Sequence, residues 1–148
     1  MRATDDPSWF AVKCRHLQSF ARDPYVKGAT WESCSNEAWN EFHVIGYSGG
    51  KKLATMEWLD SLTDSGLSVW FLDKGGVCGN KAYIRVANLG GHDVIKRYFN
   101  EVGFPCDIRK KMVVFDAGVA QKFLKLITPC FPKYLLERPN PYHQRKYL

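Results

Sequence analysis

The chain has no disulfide or zinc signature. Its five cysteines, Cys14, Cys34, Cys78, Cys106 and Cys130, are odd in number, widely spaced and never form C-x-x-C, and its four histidines are equally scattered. Zinc is therefore not expected to organise the fold, and free thiols in a reducing, intracellular compartment are. No apolar run approaches the roughly 18 residues that a membrane-crossing helix requires, so no membrane partner is expected. The opening Met1-Arg2-Ala3-Thr4-Asp5-Asp6-Pro7 is neither a secretory core nor an acid-poor transit peptide. An organelle matrix and a bacterial or phage cytoplasm are equally compatible with it.

Acidic residues are scarce toward the C-terminus. Residues 1–90 hold ten basic and ten acidic side chains, whereas 91–148 hold eleven basic and five acidic, so the whole net charge of +6 lies in the last third. Such a surplus suits a polyanion, or simply a soluble surface. With 148 residues, 45% of them hydrophobic, there is enough apolar material for an independent core.

The patterning supplies the elements. Apolar residues over 8–14 and 29–34 read as strands, and Ala38, Trp39, Phe42 and Ile45 fall at helical spacing. Thr63 is a candidate N-cap for a helix carrying Leu67, Trp70 and Phe71 as one buried stripe, with Gly75 as its stop. A short strand near 77–80 precedes a strand over 81–89. Gly90-Gly91 break the pattern, and Val94, Ile95, Tyr98, Phe99 and Val102 form a helical face ending at Gly103. Residues 107–111 and 112–116 read as two strands in close succession, and Ala120, Phe123, Leu124 and Ile127 as a helix ended by Pro129. The order from residue 63 is α-β-β-α-β-β-α, an α+β fold. Beyond Pro129 the chain is proline-rich and basic. An extended arm, or a mobile tail, is expected there.

One segment carries a family resemblance. Leu62-Thr63-Asp64-Ser65-Gly66-Leu67-Ser68-Val69-Trp70-Phe71-Leu72-Asp73-Lys74-Gly75-Gly76 resembles the second motif of the LAGLIDADG homing endonucleases, L-T-x-x-x-L-A-x-W-x-M-D-D-G. Upstream, Tyr47-Ser48-Gly49-Gly50-Lys51-Lys52 resembles the family's linker. Downstream, Leu126-Ile127-Thr128-Pro129-Cys130-Phe131-Pro132 through Arg138 resembles its L-I-x-P-Y-x-P ending. The resemblance implies a remnant of a first repeat and linker over 1–60, a LAGLIDADG-like repeat over 61–138 and a Pro/basic arm over 139–148. The first motif helix of a two-repeat member is not found.

What the resemblance implies for chemistry turns on Lys74. In the family, the last acid before the glycine holds the divalent metal that activates water, and here that position is lysine. An ammonium repels a metal ion. Asp73 is the neighbouring carboxylate, but adjacent helical residues point about 100° apart. Lys52 and Arg138 match the family's basic positions near the phosphate, and Lys74 itself is a candidate phosphate contact, or merely a lysine favoured by the helix dipole. The implied antiparallel sheet saddles a duplex through its alternate side chains, so Lys81, Tyr83, Arg85, Arg109 and Lys111 are contact candidates. The bland alternative is a solvated sheet face.

The first expectation is thus a nucleic-acid-binding protein that has lost metal-dependent cleavage, on double-stranded DNA or structured RNA, with no cofactor. A regulatory role, or a structural one in an organellar ribonucleoprotein or ribosome, suits it. A homodimer or heterodimer through the 64–74 helix is expected, Gly66 and Leu67 allowing close approach. The alternative is an active Mg²⁺-dependent site-specific DNA endonuclease, one that nicks a single strand included, that uses Asp73 or a partner's acid. A third reading is a protein-only interaction module built on Trp31, Trp39 and Trp58.

Overall fold

Residues 7–16 and 37–137 are described in the computed structural model, and the chain divides into two compact units, Met1–Phe42 and His43–Leu148. The first unit contains α1 (Pro7–His16), and α2 (Glu37–Gly46) begins in it. The helix α1 corrects the strand expected over 8–14. A short apolar run does not distinguish strand from helix by period alone, and Pro7 at the first helical position, where its missing N–H is no loss, favours the helix. The strand expected over 29–34, with Trp31, lies outside the described residues, as do Arg138 and the arm 139–148.

In the second unit, α2 runs directly into a small hairpin of β1 (Tyr47–Ser48) and β2 (Lys51–Lys52), with Tyr47 opposite Lys52 and Ser48 opposite Lys51. Its turn, Gly49-Gly50, has φ of +57° and +74°. Two left-handed residues are what a two-residue hairpin turn demands, and glycine meets that demand without a Cβ penalty. The base of the hairpin is stitched down: the Leu53 N–H donates to the Gly46 carbonyl at 2.9 Å, the Ala54 N–H to Gly90 at 3.0 Å and the Gly90 N–H to Lys52 at 3.0 Å. Thr55 then opens α3 (Met56–Asp60), its hydroxyl accepting from the Trp58 N–H at 3.1 Å and donating to the Ile45 carbonyl at 2.8 Å.

The next helix, α4 (Asp64–Lys74), is capped by Thr63 as its sequence indicates, the hydroxyl accepting from the Gly66 N–H at 3.2 Å. Its buried side is Leu67, Ser68, Phe71 and Leu72. Trp70 therefore stands at the rim of the stripe rather than in it, half-buried and turned toward α3. Its ring lies edge-on to Trp58 at 5.5 Å and stacks with Phe99 at 6.2 Å.

The chain continues with β3 (Gly75–Cys78), β4 (Lys81–Arg85), α5 (His92–Glu101), β5 (Asp107–Arg109), β6 (Met112–Phe115) and α6 (Ala117–Ile127), which is the expected α-β-β-α-β-β-α order. The sheet is antiparallel throughout, in the order β3-β4-β6-β5. The first strand lies earlier than 77–80, because Gly75 leaves the helix with extended backbone and Gly79-Asn80 form the turn, Gly79 at φ +59°.

One face of the sheet is closed. Ala82, Ile84, Val113 and Phe115 are fully buried on it, and α4 and α6 pack across β4. Phe123 of α6 is the hub, with ring centroids 5.9 Å from Phe71, 6.1 Å from Phe99, 5.6 Å from Phe104 and 4.6 Å from Phe115. Chain beyond Pro129 also contributes. After a 3-10 turn (Thr128–Cys130), Phe131 and Leu135, four residues apart, are buried, the latter in α7 (Lys133–Leu136). Phe131 and Leu135 thus anchor this stretch in the core, where an extended arm was expected from Pro129, because apolar side chains at helical spacing outweigh the nearby prolines. Among the described residues no helix is long and apolar enough to cross a membrane.

Candidate nucleic-acid interface

Period-2 alternation decides what stands on the opposite face of the sheet. Along β4, Lys81 and Arg85 are exposed and Tyr83 half-buried, while Ala82 and Ile84 point into the core. The three expected contact residues of β4 therefore share one face. Register then assembles two rows across the strands. Gly76, Tyr83, Val114 and Asp107 form one, and Arg85, Met112 and Arg109 form the other. With strands about 4.8 Å apart, the Arg85 and Arg109 backbones lie roughly 10 Å apart.

Lys111 does not share the face with Arg109. Residues 109–112 make a two-residue hairpin in which Lys110 and Lys111 are the turn, with φ of +49° and +61°. Two strands abutting without a turn, as expected from the sequence, have no way to reverse direction. The chain therefore places two lysines where asparagine and glycine are preferred. A left-handed residue with a Cβ costs about 1–2 kcal/mol. Both lysines are exposed at the tip.

Two carboxylates restrain the cations of the open face. The Lys81 ammonium donates to Asp116 at 2.6 Å, and the Arg109 guanidinium donates to Asp107 at 2.6 Å, with Lys96 on the same Asp107 carboxylate at 3.5 Å. The Arg109 hydrogen bond and charge, then those of Lys96, hold the Asp107 carboxyl below the ordinary aspartate range. The same bond raises the Arg109 guanidinium. All these groups are solvent-exposed or half-exposed, so the pairs add little to stability. Their effect is on which cations are available. Sequence reasoning passed over Asp107 and Asp116. Asp107 sits two residues before Arg109, a same-face spacing that was legible, whereas Asp116 meets Lys81 only through the β4–β6 register.

At the end of α4, Asp73 and Lys74 are both exposed. The two glycines that follow are needed for close approach rather than for unusual dihedrals. A Cβ on Gly75 would lie 2.5 Å from a Phe71 ring carbon and 2.8 Å from the Tyr83 carbonyl oxygen, and one on Gly76 would lie 2.6 Å from the Tyr83 hydroxyl. The helix end is thereby drawn against β4, and the Tyr83 ring covers Gly76. Lys52 stands apart from these groups in sequence, on the β1–β2 hairpin, its ammonium 6.0 Å from the centre of the Tyr47 ring.

Among the described residues no three His, Cys, Asp or Glu side chains gather where they could hold an ion. At the helix end the pair consists of one carboxylate and one ammonium.

The architecture has a counterpart among solved structures. The homing endonuclease I-WcaI bound to its DNA recognition sequence superposes with a TM-score of 0.70 at 15% identity, covering 87% of this chain and 69% of that one. The fold is homing-endonuclease-like. At that identity the likeness shows the fold alone. Neither a family model nor a curated protein matches the chain.

Proposed function

We propose that this chain is a nucleic-acid-binding protein of LAGLIDADG homing-endonuclease type that grips a sugar-phosphate backbone without metal-dependent cleavage. The observation that carries the reading is the open sheet face, on which Lys81, Tyr83 and Arg85 stand in line, with the exposed Lys74 ending the helix that leads into the adjoining strand β3. A β-ribbon with alternating basic and aromatic side chains matches the width of a major groove, and arginine and lysine pair with guanine edges and phosphates. Structured RNA presents phosphates to the same cations. That I-WcaI is bound to DNA supports duplex DNA as the first ligand to test.

Loss of cleavage follows from charge. Phosphodiester hydrolysis of this kind relies on carboxylates that hold a metal and lower the pKa of its water, and Lys74 occupies the position from which the family's acid acts. The exposed Asp73 beside it favours one competing reading, an Mg²⁺-dependent endonuclease, with α4 paired to a partner's helix.

The test is to recover nucleic acid that co-purifies at low salt and incubate it with the chain in Mg²⁺ and in EDTA. Equal binding and intact product are expected in both. Cleavage in Mg²⁺ that disappears in Asp73→Ala establishes the competing reading.

A further inference from the structure

We infer that the end of α2 and the β1–β2 hairpin form a stacking platform for an unpaired nucleobase, separate from the sheet face. The inference rests on the nucleic-acid reading above and deepens it by naming a second contact and the form of strand it takes. The imidazole of His43 and the ring of Tyr47 lie parallel, their planes 9° apart and their centroids 4.5 Å apart. Both residues are exposed, and Val44 between them is 76% exposed. The stacked rings and the exposed Val44 side chain thus stand together at the solvent-facing end of α2.

The surroundings select an anion with a flat, apolar face. Between His43 and Met56 the chain has two lysines and no acid. Lys52, opposite Tyr47 in the hairpin register, holds its ammonium over the Tyr47 ring, and Lys51 is exposed on the next residue. Bases stack on aromatic side chains whatever their identity, and adjacent lysines meet the flanking phosphate. A base inside a duplex has both faces covered by its neighbours, so the platform takes a base from a single strand, a loop or a flipped position. DNA and RNA share this chemistry.

The platform is also held in place. The hydrogen bonds from Leu53 to Gly46 and from Gly90 to Lys52 fix the hairpin base, and the Thr55 hydroxyl ties the end of α2 to the start of α3. At the tip, a Cβ added to Gly49 or Gly50 would meet nothing within 4 Å.

The experiment uses the full chain and short single-stranded oligonucleotides, one of DNA and one of RNA, each carrying a single 2-aminopurine, with an unlabelled DNA duplex measured in parallel. Stacking is expected to quench the 2-aminopurine fluorescence. Tyr47→Ala and His43→Ala are expected to abolish the quench and weaken single-strand affinity by on the order of 10-fold, while Tyr47→Phe retains both. Duplex affinity in these variants stays at the wild-type value, which also establishes that they fold. A stronger quench with one oligonucleotide identifies which sugar the platform prefers. Quenching that is absent, or unchanged in Tyr47→Ala, while duplex binding persists overturns this inference alone. Absence of binding to every probe overturns the nucleic-acid reading with it.

Discussion

Asp107 shows how single side chains set the strength of a basic surface. Its carboxylate holds Arg109 at 2.6 Å and Lys96 at 3.5 Å, so a phosphate arriving at this edge of the sheet must compete with an internal anion. Asp107→Asn removes that competitor and relaxes both cations. Affinity for a duplex is expected to rise about 3- to 10-fold at low salt, in line with what one freed charge contributes near a polyanion. Titrating wild type and variant by fluorescence anisotropy checks this, and a drop in affinity would instead mark Asp107 as a contact in its own right. The pH dependence has a defined sign. Because Arg109 and Lys96 lower the folded-state pKa of Asp107, the pair's contribution is fully present above the ordinary aspartate value. It is lost as pH falls through the lowered folded value.

At the scale of elements, the β5–β6 hairpin carries a conflict between local preference and use. Lys110 and Lys111 occupy left-handed positions that asparagine and glycine fill at less cost. The double substitution Lys110→Asn/Lys111→Gly is expected to raise stability by about 1 kcal/mol, seen as a higher urea midpoint. The same variant is expected to bind a duplex several-fold more weakly, because two exposed ammoniums leave the tip. A variant with unchanged affinity would show that the strained lysines have no part in binding. Here the limits of sequence reading are physical. Alternation identified both strands, and it placed Lys81, Tyr83 and Arg85 on one face correctly. A run without glycine, proline or asparagine gives no sign of a turn, so Lys111 was assigned to a strand.

The same logic separates other successes from failures. The Thr63 cap, the Ala120/Phe123/Ile127 stripe and the element order were legible because each rests on short-range spacing. Trp70 was misplaced because its partner Trp58 belongs to α3, a helix of five residues too short to announce itself. Gly75 was read as a helix stop, and it is one. Its deeper constraint, the 2.5 Å that a Cβ would leave to Phe71, depends on tertiary packing that spacing does not encode. His43 and Tyr47 are four apart, a spacing that was legible, but the pair joins a helix end to a strand, so the spacing alone did not announce a stack.

At the largest scale, the core of the second unit underlies the sheet face. Phe123 touches four other rings and is fully buried, so Phe123→Ala is expected to cost about 3–5 kcal/mol, read as a shift in the chemical-denaturation midpoint. A shift of under about 1 kcal/mol would contradict the packing, since it would fall below even a well-tolerated core swap.

The salt dependence of duplex binding tests the central claim most directly, because it counts the phosphates the protein engages. The logarithm of the association constant, followed against the logarithm of salt concentration with Mg²⁺ absent, is expected to fall steeply. Its slope is expected to become shallower by about one for each of Lys74→Ala and Arg85→Ala. An affinity that barely changes with salt, or a slope that neither substitution alters, would contradict the assignment of this sheet face to a polyanion.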